Sequence, residues 1–422
     1  MSDFTVRNSC RLCASPELTR LLTLPDTPLA NSYPRQPEGA DYVEDETGTR
    51  RHYGRWEQEK FPLYLVGCNA CGHVQLPVEV DPRRLFPADY AYQSGTSAVF
   101  REHLKRLADD IMCELDPTGV YSSGHARHLD IACNDGTLVK MVRANGRASF
   151  GVDPAAPDEP WAFRGFFTEE WAKERRASAG TYSVVTALNV FAHLPDMDDF
   201  TRGVKALLEP CGLFVIEVGY LADVVAKGRF STIYHEHLAY HHLGPLVRFF
   251  RKHNMTLVDA ERIESQGGSI RLFVRNHDGR HHGGGDDGTT MQSERLQALL
   301  DEESRSVLWE GVKLLGNVKA GWGVRGARDQ LKARAPLVCY GAPAKLCTLL
   351  HATGQTDAVE YVVDDNPNKA GKFVPGTRIP ILPVSTLYER RPKRVLVTAW
   401  NFFEEIRERN KEVGCEWHAS IG

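Results

Sequence analysis

Residues 230–240, FSTIYHEHLAY, set Tyr234, His235, Glu236 and His237 in four consecutive positions. A base such as His237 can remove a proton next to a carbonyl, with Glu236 or Tyr234 orienting it or steadying the enolate that forms. Two plainer readings compete. A His-Glu-His metal site is disfavoured because alternate residues do not share a helix face and no third ligand stands out. A solvated polar stretch is the other. By themselves these residues indicate acid–base chemistry and name no substrate.

Cys10-Arg-Leu-Cys13 and Cys68-Asn-Ala-Cys71 are two CxxC pairs separated by 54 residues. Two residues between thiolates let both sulfurs of a tight turn reach one ion, and two such turns complete a tetrahedron. Gly72 suits the turn after the second pair, since it tolerates positive φ. Redox pairs or scattered buried thiols are the alternatives. The coincidence of two pairs in a segment short of apolar core favours Zn2+. Four thiolates leave no open position, so this zinc is expected to hold structure and not to catalyse.

A third group surrounds residues 128–137, HLDIACNDGT, which read as a strand, a turn and the start of a helix. A small-residue turn lets the backbone approach a ligand, and the helix N-terminus offers free N–H groups. About twenty residues on, Gly151-Val152-Asp153 ends the next strand with a carboxylate, the position from which an acid accepts hydrogen bonds from a ribose diol. Such a crevice serves S-adenosylmethionine (SAM) or NAD alike; the missing GxGxxG weighs against NAD. Asn189, Phe191 and His193 follow the fourth strand, where the crevice opens. His193 alone is more often a satisfied structural histidine.

These groups need elements to hold them. Between about 126 and 275, HLDIA, FGVD, YSVVTAL, GLFVIEV and SIRLFV alternate with helical stretches, the rhythm of a mostly parallel sheet covered by helices. Residues 100–115 space Leu104, Leu107, Ile111 and Leu115 as an amphipathic helix does. Residues 276–290 form a polar, Gly-rich break, and the following 45 or so residues look helical. PLVCYGAPAK, VEYVVDD and RVLVTAW then repeat the α/β rhythm. The expected architecture is α/β: a cysteine-held head at 1–90, a Rossmann-like lobe at 91–290 and a second at 291–422. A chain of 422 residues, 42% hydrophobic and 25% charged, is globular and long enough for several cores. The formal charge of -4 gives no nucleic-acid footprint. No apolar run approaches the ~18 residues of a membrane span. Ten cysteines without an export signal point to thiols or metal ligands, so no membrane partner and a cytoplasmic location are expected.

Taken together, the paired CxxC head, Tyr90-Ala-Tyr92-Gln-Ser94, LDIACNDGTL, IYHEHLAY, Gln266-Gly-Gly-Ser-Ile-Arg271, Tyr340-Gly-Ala-Pro-Ala-Lys345, VVDDNPNK (362–369), VPGTRIPI and Ala399-Trp-Asn-Phe402 resemble the sugar-nucleotide C-methyltransferases that build branched deoxysugars. The resemblance covers nearly the whole chain. It implies that a 4-keto sugar on a nucleoside diphosphate loses a proton next to the ketone and that the enolate attacks the SAM methyl group. C-3 of a thymidine-linked (dTDP) sugar is the first expectation; C-5 and a guanosine nucleotide are the alternatives. A monomer is expected.

By the same resemblance His237 is the base, with Tyr234, Glu236 and His235 beside it. Asp130, Asn134, Asp135, Gly136, Asp153, Asn189 and His193 would hold SAM. Tyr90, Tyr92, Tyr340, Ala342, Lys345 and Asn401 would meet the sugar nucleotide, and Cys10, Cys13, Cys68 and Cys71 the zinc. The chain departs from the family at Asp130 (Glu is more usual), Ala132 (Gly), Cys133 (a small polar residue) and Gly219-Tyr220 (a Pro). A non-catalytic sugar-nucleotide binding protein and an NAD-dependent epimerase or dehydrogenase are the competing classes.

Overall fold

The computed structural model describes residues 4–35, 42–44, 50–52, 58–86, 95, 98–115, 126–276, 292–305, 308–316 and 323–420. In the head, strands Leu18–Thr27, Phe61–Cys68 and Val74–Gln75 pair antiparallel. Phe61, Leu63 and Leu65 alternate along the middle strand and are all buried, as a period of two requires. The fourth strand of this sheet, Ala239–Tyr240, comes from the central lobe and pairs with Gln75 and Val74. The residues just after the Tyr-His-Glu-His run are thus stitched into the head.

The central lobe holds a seven-stranded sheet in the spatial order Ala162–Arg164, Ala148–Asp153, Arg127–Ile131, Tyr182–Leu188, Leu208–Gly219, Ser269–Asn276, Met255–Ile263. Only Ser269–Asn276 runs against its neighbours. The strands are apolar throughout because both faces are covered. Leu129, Ile131, Val185, Phe214 and Ile216 fill one side. On the other, helix Ala98–Leu115 lays Phe100, Leu104, Leu107 and Ile111 against Val184, Leu213 and Val215. Each such large apolar side chain contributes about 1.5–3 kcal/mol of transfer free energy. Strand Met255–Ile263 is absent from the sequence reading for a physical reason. A bulge between Leu257 and Asp259 shifts its register and breaks the alternation by which a strand is recognised.

The C-terminal lobe is a five-stranded parallel sheet, ordered Ile381–Leu382, Val359–Val363, Leu337–Tyr340, Arg394–Val397, Glu416–Ala419. The expected helical stretch before it is divided into Glu294–Arg305, Leu308–Leu315 and Val324–Arg334. Leu296 of the first enters the core of the central lobe. Leu308, Val312 and Leu315 of the second pack with Leu21 and Leu22 of the head. No described helix is long and apolar enough to cross a membrane.

Glu303 joins these parts. Its carboxylate accepts from the Tyr220 hydroxyl (2.9 Å), the Leu243 and Gly244 N–H groups (2.6 and 3.0 Å) and His242 Nδ1 (3.1 Å). It therefore caps helix Leu243–Lys252 from a different helix. Burial raises the Glu303 pKa, but His242 and the two backbone donors outweigh it and hold the carboxyl below its ordinary range. A depressed carboxylate stabilises the fold above its unfolded-state value and stops doing so as pH falls through the folded-state one. Glu303→Ala should cost about 2–4 kcal/mol at neutral pH, read as a lower urea midpoint of the zinc-loaded protein. The gap to wild type should narrow as pH falls through the depressed folded-state value of Glu303.

Candidate active site

The strand order of the central sheet reverses between Arg127–Ile131 and Tyr182–Leu188, and a crevice opens at their carboxyl ends. The turn beyond the first strand puts Ala132, Asn134 and Gly136 at φ 58°, 52° and 73°, and Asn189 beyond the second lies at 55°. A Cβ on Gly136 would sit 2.2 Å from the Trp161 ring, so only glycine fits. Asp153 accepts the N–H groups of Asn134 (3.1 Å) and Ala155 (2.6 Å). Asp135 accepts from the Thr137 N–H and hydroxyl through one oxygen and from the Gly95 N–H through the other. Asp130 is buried, takes the Thr186 hydroxyl at 2.6 Å, and is pushed by burial up to about 7.

Glu217, which the sequence reading passed over, lies beside this group. It is fully buried and accepts from His103 Nε2 at 2.7 Å and Arg271 Nε at 2.8 Å. Its signal was the single charge in GLFVIEV, since a buried ion requires a partner on another strand.

The Tyr-His-Glu-His run is divided by the fold. His237 Nδ1 lies 2.8 Å from the Thr232 carbonyl, which can only accept, so this nitrogen carries the proton. Nε2 keeps its lone pair and accepts the Tyr234 hydroxyl at 2.9 Å. Burial, then the neighbouring His193 and Lys345, drive the His237 pKa down to about 3, so the ring is neutral. His193 stands 5.0 Å from it ring to ring and donates through Nδ1 to the Glu236 carbonyl at 2.6 Å. Two head residues steady the loop that bears His193: Arg7 and Arg11 both donate to the Pro195 carbonyl at 3.1 Å, and Glu79 pairs with each. A cavity of about 600 Å³ between Phe4, Arg84, Phe86 and Leu238 reaches His193. His235 turns the other way, onto Phe61 and the Pro62 carbonyl of the head. The Glu236 carboxylate is buried and accepts from Asn31 Nδ2 at 2.7 Å. Tyr90 and Tyr92 lie outside the described residues.

From the C-terminal lobe, Lys345 Nζ stands 4.1 Å over the Trp400 ring, beside Asn401. The Arg229 guanidinium lies 3.7 Å over the same ring. Burial first, then the charge of Arg229, push Lys345 down to about 7. Burial also lowers Arg229, which feels Asp223 and Glu264 only at a distance. Neither cation forms an ion pair with a described residue. Gly267 explains its own type here, because a Cβ on it would fall 1.6 Å from the Trp400 ring.

Ala342 is tied off, its N–H to Asp364 at 2.6 Å and its carbonyl to Lys369 and the Tyr33 hydroxyl. Tyr340 stands apart. Its ring packs with Val395 and Ile406, while Cys339 and Leu346 belong to a different cluster. Its hydroxyl donates to Asp365 and accepts from Arg409.

The four cysteine sulfurs lie within 4.8 Å of one another, with Cys10–Cys71 and Cys13–Cys68 at 3.5 Å. Sulfurs about 2.3 Å from a tetrahedral zinc stand about 3.8 Å apart. Each pair sits on a tight turn closed by a backbone bond, Ala14 N–H to the Cys10 carbonyl and Gly72 N–H to that of Cys68. The Cys71 thiol, hydrogen bonded to Cys10, brings the latter down to about 5, toward the thiolate a metal needs.

Three family models match in succession: a zinc binding domain over residues 10–86, a methyltransferase domain over 99–260 and the C-methyltransferase C-terminal domain over 264–420. The chain belongs to the SAM-dependent C-methyltransferases. A curated relative, C-methyltransferase NovU of Streptomyces niveus, is 29% identical over 96% of this chain and 92% of its own. Solved structures align more distantly. Magnesium protoporphyrin IX methyltransferase from Synechocystis PCC 6803 with bound SAH is 13% identical over 44% of this chain and 90% of its own, at a TM-score of 0.32. CurJ carbon methyltransferase is 14% identical over 47% and 62%, at 0.33.

The cofactors of this C-methyltransferase are SAM and zinc, and its residues suit both. Asp153 and the left-handed turn before helix Thr137–Ala144 form a cradle that a larger residue at 136 would fill. The four thiols fit a closed, structural zinc. Cys68→Ser should lose stoichiometric zinc, measured by metal analysis, together with most of the folded yield. Full zinc content in a stable Cys68→Ser protein would remove this ligand set.

Proposed function

We propose that this C-methyltransferase acts on a carbon next to the ketone of a 4-keto deoxysugar linked to a nucleoside diphosphate. C-3 of a thymidine-linked sugar is the first reading. One observation carries it: a neutral imidazole–phenol pair, His237 and Tyr234, has as its neighbour Lys345, which shares the Trp400 ring with Arg229 in a cation pair that has no counterion among the described residues. Two half-buried cations without a partner are electrostatically unsatisfied until an anion arrives, and a diphosphate is the anion that a sugar nucleotide brings. Asn401, next to Trp400 in the chain, and Ala342 would sit near the diphosphate, and Tyr90 and Tyr92 would line the sugar-nucleotide cleft.

The hydrogen bonds suggest how the proton moves. Tyr234 Oη takes the proton from the sugar carbon as its own proton crosses to His237 Nε2, and the C–H electron pair becomes the enolate. His237 ends as imidazolium, still donating through Nδ1 to Thr232. His193 flanks the pair, and its Nδ1 donates to the Glu236 carbonyl. When bound, SAM supplies an electrophilic methyl group on a sulfonium. Asp153 would take its ribose hydroxyls, and Asp130, Asn134, Asp135, Gly136 and Asn189 would line the rest of its crevice. The divisions 1–90, 91–290 and 291–422, a monomeric state and a cytoplasmic setting complete this reading.

Mass spectrometry of products from the enzyme, SAM and a panel of nucleotide-linked 4-keto sugars tests it. One added methyl on the sugar is expected, with fragmentation separating C-3 from C-5. No methylated product with SAM bound would overturn it. His237→Ala should abolish turnover while leaving SAM affinity unchanged; near-normal activity would remove His237 from the proton path. A nucleoside diphosphate alone should bind more weakly as pH rises from about 7 to 9, because Lys345 loses its charge over that range. Calorimetry should show proton uptake on binding, and Lys345→Ala should abolish the uptake.

A further inference from the structure

We propose that Asn31, from the cysteine-bound head, is a positioning residue that holds the Glu236 carboxylate for the proton transfer. This rests on the reading of Tyr234, Glu236 and His237 as the acid–base group. The amide nitrogen of Asn31 donates to Glu236 Oε1 at 2.7 Å. Its amide oxygen and the Ala342 carbonyl both accept from the Tyr33 hydroxyl, at 3.0 and 2.5 Å. Lys369 holds that same carbonyl from the C-terminal lobe at 2.9 Å. The neighbouring Ala30 packs with Ala344, Cys347 and Tyr234, so Asn31 cannot shift without moving the floor of the site.

The bonds form one path from the Ala342 carbonyl, through two residues of the head, to the carboxylate of Glu236, the residue that precedes His237 in the chain. An amide donor bonded to a carboxylate favours its charged form. A fixed negative charge there in turn favours the positive charge that His237 acquires when it receives the proton. Tyr33, Tyr234, His193, His237, Lys345, Cys347, Asp364 and Lys369 are the other titratable groups among the described residues that face this carboxylate and its Asn31–Tyr33 support.

Infrared titration of the whole zinc-loaded protein is the test, with the Glu236 carboxyl band identified by its loss in Glu236→Gln. In Asn31→Ala the protonated-acid band should persist to a pH about one unit higher than in wild type. The kcat for methyl transfer should fall about tenfold, while the KM for the sugar nucleotide stays within about twofold. Asn31→Asp keeps the shape but replaces the donor with a second carboxylate, and should move the band further in the same direction. It also serves alone if Asn31→Ala does not fold.

A band that stays put in the folded variants overturns the proposal, as does a rise in KM at constant kcat. The infrared readout needs no turnover. Failure of wild type to methylate any sugar in the panel would therefore count against the proposed substrate, while the band would still decide whether Asn31 governs Glu236.

Discussion

Ala239 and Tyr240 pair in antiparallel register with Gln75 and Val74, three residues beyond the second cysteine turn. Through that short ladder the segment carrying Tyr234, Glu236 and His237 is held from both ends. Its upstream end leaves the turn Phe230–Thr232, whose last carbonyl fixes the tautomer of His237. Its downstream end is a strand of the metal-held head. A free loop with these residues would sample many rotamers and lose the alignment that proton transfer requires. The cysteine-held head is therefore joined to the Tyr234–His237 segment through backbone hydrogen bonds.

The same logic explains why polar residues are buried at such density here. Asp130, Glu217, Glu236, His193 and His237 each lie where an isolated polar group would cost several kcal/mol. Each is met by a partner from a different element: Thr186, Arg271, Asn31, the Glu236 carbonyl and Thr232. Lys345 and Arg229 depart from this rule: among the described residues neither pairs with an anion, and both stand over the Trp400 ring instead.

Much of this was legible in the sequence because the carriers are local. A CxxC turn, a strand ending in Asp153, and four reactive residues in a row are each contained within ten residues, and their spacing alone selects them. Asn31, Arg229 and Glu217 were not legible, because their meaning lies in partners 54 to 205 positions away or in a ring contributed by another lobe. Tyr340 illustrates the converse. It belongs to the same short motif as Lys345, yet a strand sends successive side chains to opposite faces. Tyr340 therefore points to Asp365 and Arg409, and the turn that follows carries Lys345 to Trp400. His235 and His237, two apart in an irregular turn, part company for a comparable reason.

The borrowed strand also bears on the order in which the chain can assemble. Until residue 239 has been synthesised, Val74–Gln75 is the open edge of the head sheet, with backbone groups that only water or another chain can satisfy. A nascent head is not finished when its own sequence is complete; ribosomes must add most of the central lobe before the sheet closes. Metal capture at the cysteines, which needs only residues up to 71, can precede that closure. The topology thus allows metal capture before the strand at residues 239 and 240 closes the sheet.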